Sequence, residues 1–131
     1  MDPTEEQLAA LSADRPGEPV VMLNLVALRE DALDGSGSGW DAYVRYSQAF
    51  VPLLRKVGGT ILWAGDVTGV AIGGPDDDWD YAVLVRYPSR QAFVDTMTSP
   101  EYAEASVDRH QGLRKHLILP VAETFSKFAT S

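Results

Sequence analysis

The sequence predicts an α+β domain in which a four-stranded antiparallel sheet carries helices on one face. A leading helix is followed by two successive strand–helix–strand units, an order that pairs into such a sheet. The first and third predicted strands, PVVMLNLVAL and WDYAVLVRYP, are apolar on both faces, as expected of two central strands. These observations predict the ferredoxin-like plan with an extra N-terminal helix.

The first predicted element is a helix over residues 4–13. Thr4 can cap this helix, and Gln7 stands three residues later, where a reciprocal capping box requires a side chain that reaches back. The tripeptide RPG then ends the helix. Residues 1–17 are therefore interpreted as an N-terminal extension of a single domain that comprises residues 1–131.

The first strand–helix–strand unit begins with the strand Pro19 to Leu28. Residues 29–39, REDALDGSGSG, are predicted to be a flexible loop because of their composition. A helix is expected from Trp40 to Val57, since its apolar residues recur with helical spacing although Pro52 lies inside it. The next segment, TILWAGDVTGVAIGG, predicts a long strand bent at its glycines.

The second unit begins with WDYAVLVRYP and continues with two helices. Ser89 is expected to cap a short helix that ends at Met97. Ser99 caps the next, which has Pro100 in its first turn and is predicted to continue to about His116. The last strand is LILPVAETF.

The predicted sheet has helices for only one of its faces, although its central strands are apolar on both. A second copy of the same chain is the simplest cover for the other face. We therefore expect a homodimer.

Composition and charge exclude several classes of partner. The formal net charge is −8 and the basic residues are scattered, so we expect neither nucleic-acid nor membrane-surface binding. The absence of cysteine fits a reducing compartment, and MDPTEEQLAAL does not resemble a secretory signal, so a cytoplasmic location is expected. Because no zinc, P-loop or dinucleotide-loop spacing occurs, neither a metal nor a cofactor is predicted.

Four blocks of the sequence together resemble the DUF1330 family of small bacterial proteins. They are PVVMLNLVAL, AYVRYSQAFVPLLRKVGGTILWAG, WDYAVLVRYPSR and YPSRQAFVDTMTSPEYAEASVDRHQGL. The resemblance extends from Pro19 to about Val121, and PTEEQLAAL marks the longer form of the family. It implies the dimeric α+β barrel superfamily, in which two ferredoxin-like protomers pack sheet to sheet.

The superfamily includes cofactor-independent monooxygenases, small isomerases, dehalogenases and haem-binding or haem-degrading proteins. Their ligands usually lie in a cleft between the sheet and its helices. The resemblance therefore implies where a ligand would bind, and it leaves the reaction open. Asn24, Trp63 and His110 are residue types that haem-degrading relatives use, but no motif aligns them with this sequence.

His110 is the first candidate for a functional group. A helical projection places it on one face with Tyr102 and Ser106, directed towards the sheet, where it could act as an acid or base. The alternative is an imidazole that only satisfies a buried backbone group or Ser106. Arg109 lies beside it and could bind a ligand carboxylate, or could be a solvated charge. His116 is interpreted as structural.

Asn24 is the second candidate, since an amide midway along a central strand must find partners. A ligand carbonyl or oxyanion would be one such partner, and a hydrogen bond within the protein is the alternative. The sequence does not indicate which face of the strand carries Asn24. Trp63, Trp79 and Tyr87 could wall an apolar pocket, or could pack in the core or at a dimer interface.

Three functions fit these observations. The chain could be a small enzyme acting on an apolar or aromatic metabolite, with His110 as acid or base and Asn24 as polarising group. It could be a homodimer that binds such a ligand without catalysis, or a purely structural dimer. We favour a small-molecule pocket whose catalytic use the sequence leaves open.

Overall fold

The structure, a computed structural model, describes residues 2–128. Its longest helix has 18 residues, and within this described range no helix is long and apolar enough to cross a membrane. The elements in chain order are α1 Glu5–Ala13, β1 Val20–Leu28, α2 Gly39–Lys56, β2 Thr60–Asp66, β3 Tyr81–Tyr87, α3 Arg90–Met97, α4 Pro100–Gly112 and β4 Leu113–Val121.

The four strands form one antiparallel sheet in the order β2-β3-β1-β4. The central strands are β1 and β3, so the predicted ferredoxin-like plan is confirmed. Side chains alternate between the two faces of each strand. In β1, Met22 and Val26 are fully buried beneath the helices, and Asn24 lies between them on the same face.

The opposite face of the sheet is apolar and uncovered in the single chain. One cross-strand row takes a side chain from each strand: Trp63, Leu84, Leu23 and Leu119. Trp63 is 49% exposed and Leu119 is 43% exposed. We call this surface the open face.

Several element boundaries differ from the prediction. The last strand, predicted as LILPVAETF, begins four residues earlier, at Leu113, and ends at Val121. The helix expected to reach His116 ends at Gly112, and the chain enters β4 at once. Helix α4 crosses α2 closely at this point, because a Cβ on Gly112 would lie 2.5 Å from the Gly39 carbonyl oxygen. Strand β2 ends at Asp66, since its partner strand β3 begins opposite, at Tyr81.

The segment predicted to be a flexible loop is fastened to α4 by its backbone. The amide of Arg29 donates to the Gly112 carbonyl over 2.8 Å, and that of Leu33 donates to the Gln111 carbonyl over 3.1 Å. Ala32 within the segment is buried. The connection between β1 and α2 therefore packs against the end of α4.

Helix α1 has the predicted cap. The Thr4 hydroxyl accepts from the Gln7 amide over 3.0 Å, and the Gln7 side chain accepts from the Thr4 amide over 2.9 Å. None of the nine residues of α1 is buried, although Leu8 and Leu11 contact the core partially. The helix lies against α3 and contributes little to the core.

We expect Gly112→Ala to destabilise the fold. The new methyl group would meet Gly39 backbone 2.5 Å away and the Cβ of Ala42 3.0 Å away, so α2 and α4 must separate. The free energy of unfolding in urea, at fixed protein concentration, should fall by about 1–3 kcal/mol. Gly17→Ala is the control, because no atom lies within 4 Å of the position that its Cβ would take. Equal stability of the two variants would contradict the proposed close contact.

Candidate functional site

A cavity of about 510 Å³ lies between α1, α3 and β4. This volume is within the range of small-molecule sites. A smaller space of about 70 Å³ shares part of its wall and reaches Asn24 and Tyr87. Most of the residues that line the larger cavity are apolar, including Leu8, Leu11, Met22, Phe93, Met97, Tyr102 and Ile118.

A connected set of polar side chains forms one end of the cavity. The Arg109 side chain is only 2% exposed, and its Nε donates to Ser106 Oγ over 3.0 Å. Its Nη1 lies 3.2 Å from His116 Nδ1, and its Nη2 forms an ion pair with Asp2. His116 Nε2 then lies 3.0 Å from Asn24 Oδ1. We call Asp2, Arg109, His116 and Asn24 the polar chain.

The guanidinium of Arg109 fixes the protonation of His116. A guanidinium can only donate, so His116 Nδ1 must accept. Burial and the charge of Arg109 lower the pKa of His116 from 6.5 to about 3. The ring is therefore neutral at pH 7, carries its proton on Nε2 and donates to Asn24 Oδ1. With both nitrogens engaged, His116 acts as a fixed link between Arg109 and Asn24.

Asn24 points towards the helices, on the face that the sequence left open. Its Nδ2 donates to the Met22 carbonyl over 3.2 Å, and its Oδ1 accepts from His116. It also lines the smaller cavity. The strand position therefore brings the predicted amide into the site, with its hydrogen bonds made inside the protein.

His110 does not occupy the inward position that the helical projection gave it. Its side chain is 41% exposed, and its Nε2 lies 2.9 Å from Asp2 Oδ1 and 3.4 Å from Arg109 Nη2. The inward face of α4 instead carries Tyr102, Ser106 and Arg109, spaced four and three residues apart. His110 therefore lies behind Asp2 at the margin of the polar chain.

His116, interpreted as structural from the sequence, is the histidine that the fold buries. The earlier end of α4 places it in β4, opposite Val26 and on the helix side of the sheet. The one signal for this in the sequence was Gly112, a residue type that commonly ends helices. Asp2, 107 residues from Arg109, has no comparable signal.

The aromatic candidates separate into two groups. Trp63 lies on the open face opposite Leu84, and the Trp79 ring stacks beneath Lys115 Nζ at 4.2 Å. Neither of the two cavities includes Trp63 or Trp79 in its wall. Tyr87 is buried, lines the smaller cavity and contacts the Phe93 ring edge to face at 5.2 Å. Burial raises the pKa of Tyr87.

Tyr102 is joined to a tyrosine that the sequence did not single out. Its hydroxyl lies 3.0 Å from the hydroxyl of Tyr46, within the wall of the smaller cavity. Burial and the neighbouring Tyr102 raise the pKa of Tyr46 well above 10, so the Tyr46 hydroxyl is neutral at pH 7. Within residues 2–128, no three His, Asp or Glu side chains are grouped so that they could hold a metal ion.

The Asp2 carboxyl balances the buried guanidinium. Burial raises the pKa of Asp2, but the hydrogen bond with His110 and the charges of His110 and Arg109 outweigh it, so the net pKa is lowered. The carboxylate is thus ionised at pH 7 while its side chain stays 61% exposed. The buried Arg109 and the exposed Asp2 of this ion pair lie 107 residues apart in the sequence.

We expect the stability of the protein to decrease as the pH falls below about 6.5. The unfolded chain binds a proton on His116 near its ordinary pKa of 6.5, whereas the folded chain binds it only near 3. The free energy of unfolding should therefore fall by up to about 1.4 kcal/mol per pH unit across this window from this group. His116→Gln should remove that part of the slope in denaturation series at successive pH values.

His110→Gln is the matched control, because it leaves His116 and its contact with Arg109 in place. It should retain the part of the slope that His116 causes. An unchanged slope in His116→Gln would contradict the neutral, buried state assigned to this ring.

The fold is shared with proteins of low sequence identity. Hydroxynitrile lyase from Passiflora edulis is 17% identical, with a TM-score of 0.59 over 85% of this chain and 100% of the lyase. A dimeric protein of unknown function with a ferredoxin-like fold from Bacteroides fragilis is 15% identical, with a TM-score of 0.52 over 79% of this chain and 94% of its own. At these identities the likeness concerns the fold alone.

Two further comparisons concern the family. A protein of unknown function from Rhodopseudomonas palustris is 32% identical, with a TM-score of 0.86 over 95% of this chain and 97% of its own. None of the curated proteins matches the chain significantly. The family model described as a domain of unknown function, DUF1330, matches residues 39–121, more than half of the sequence. The chain therefore belongs to the DUF1330 family and has its ferredoxin-like fold.

Proposed function

We propose that this protein binds a small, largely apolar molecule in the cavity between α1, α3 and β4. The observation that carries the proposal is an apolar cavity of about 510 Å³ that ends at a buried guanidinium. Ligand sites typically combine apolar walls with a few fixed polar groups, which here include Arg109 and His116. A purely structural role would leave this volume without a purpose.

We further propose that the protein is a homodimer joined through the open face. The row formed by Trp63, Leu84, Leu23 and Leu119 is apolar across all four strands. A surface of this kind is usually covered by another protein surface. The Bacteroides fragilis protein with the same fold is described as dimeric, which supports a dimer here.

The acid–base role predicted for His110 stays a prediction. Its Nε2 is engaged by Asp2, so it could reach a ligand only after Asp2 has moved. The Passiflora edulis lyase is an enzyme with this fold, which supports catalysis as a second candidate function. Any such chemistry would take place at the Arg109 end of the cavity, because His110 Nε2 lies 3.4 Å from Arg109 Nη2.

We expect Ala10→Trp to block the cavity. Ala10 lines the cavity from α1, so the indole ring would occupy the ligand volume. The neutral probe N-phenylnaphthylamine should become fluorescent with the wild-type protein, because an apolar site excludes water, and should bind more weakly to the variant. Ala9→Trp adds the same ring to α1 at a residue that is absent from the cavity wall. Equal binding to both variants would contradict the proposed site.

We expect Leu84→Lys to convert the dimer into a monomer. Leu84 lies in the middle of the open face, between Trp63 and Leu23, and an ammonium group there would be buried without a partner in the interface. Sedimentation velocity at micromolar concentration measures the change. Val107→Lys is the control, since Val107 is 58% exposed on α4 and distant from the sheet. A monomeric wild-type protein would refute the proposed assembly.

A further inference from the structure

We propose that the ligand of this cavity carries a carboxylate. In the absence of the ligand, the Asp2 carboxylate pairs with Arg109, and the ligand carboxylate replaces it there. The segment from Asp2 through α1 then acts as a lid that the ligand displaces. This inference rests on the proposed function, because it assigns the chemical class of ligand to the same cavity.

The buried guanidinium requires an anion. A cation removed from water is costly unless it is paired and hydrogen-bonded. Ser106 and His116 accept from Nε and Nη1 of Arg109, and both residues are held by regular structure, in α4 and β4. Both of these partners are neutral, since the ring of His116 cannot hold a second proton at pH 7. Within residues 2–128, Asp2 forms an ion pair with Arg109 at this end of the cavity.

Asp2 is joined to the fold more weakly than the other members of the polar chain. Its side chain is 61% exposed, and it precedes a helix in which none of the nine residues is buried. Segments with few buried contacts open at a small cost in free energy. Asp2 can therefore leave Arg109 without disturbing the sheet or α4.

Departure of Asp2 would open the cavity and expose its charged end together. The same segment supplies Asp2, Pro3, Gln7, Leu8 and Leu11 to the cavity wall. Once it moves, Arg109 Nη2 and His110 Nε2, which now both contact Asp2 Oδ1, would face the ligand. These two donors suit a carboxylate oxygen. The opening of the lid and the exposure of the anion site are thus coupled by one residue.

The rest of the cavity defines the body of the ligand. Met22, Phe93 and Met97 contribute apolar surface beyond Arg109. A ligand with an aliphatic or aromatic body and one terminal carboxylate would place its charge on Arg109 and its body against these side chains.

The experiment compares an acid with its neutral amide. Calorimetric titrations of the full chain use hydrocinnamate and hydrocinnamamide, which share a phenylpropyl body and differ in charge. The readout is the ratio of the two affinities. The wild-type protein should bind the acid more tightly, and Asp2→Asn should raise the ratio by about tenfold, because the competing carboxylate is gone. Asp2→Asn keeps a side-chain oxygen that can accept from Arg109, and circular dichroism verifies that the variant is folded.

Glu6→Gln is the matched control, since it removes one negative charge from an exposed position of the segment from Asp2 through α1. It should leave the ratio unchanged. Arg109→Met should bring the ratio close to one. If Arg109→Met fails to fold, as judged by circular dichroism, the Asp2→Asn result decides alone.

The outcomes separate this inference from the proposed function. If the acid and the amide bind equally well, and Asp2→Asn does not change their ratio, the inference is wrong and the cavity keeps its proposed role. The inference is also wrong if neither compound binds while N-phenylnaphthylamine still binds at the site that Ala10→Trp blocks. If that probe also fails to bind, the proposed function is wrong, and this inference falls with it.

Discussion

The close crossing of α2 and α4 determines where the rest of the site lies. Gly39 and Gly112 bring the two backbones so near that neither position has room for a side chain. The contact ends α4 at Gly112 and sends the chain directly into β4. Arg109 is thereby left in the last turn of the helix, and His116 comes to lie in the strand beside it. A longer helix would have separated the two groups.

Much of the fold was predictable because it depends on local patterns. Capping residues marked the starts of α1, α3 and α4, and apolar runs identified the central strands. Asn24 was also recognised as a candidate, since a polar group in an apolar strand is conspicuous in a sequence, and Arg109 was recognised because it lies beside His110. The helix end was missed because periodicity continues through Gly112, and only the packing of α2 against it shows why the helix stops.

The structure places His110 and His116 differently from the prediction for the same reason. A projection that extends α4 to residue 116 rotates His110 inward and makes His116 a terminal residue, whereas the strand buries His116 and leaves His110 at the margin. Asp2 could not be predicted at all, since its contact spans 107 residues. The family model includes Arg109 and His116 but begins after Asn24 and α1, so the site combines residues from inside and outside the matched region.

Because a poorly buried helix lies over the cavity, the affinity for a ligand and the rate of its association would depend on different parts of the protein. In the proposed lid, affinity would depend on the cavity wall and on Arg109, while entry would wait for α1 to move. Motions of lids of this kind occur on microsecond to millisecond timescales. The observed association rate would then stop rising at high ligand concentration, because the opening of the helix becomes the slow step. Substitutions on the outer surface of α1 would change this limiting rate without touching the ligand.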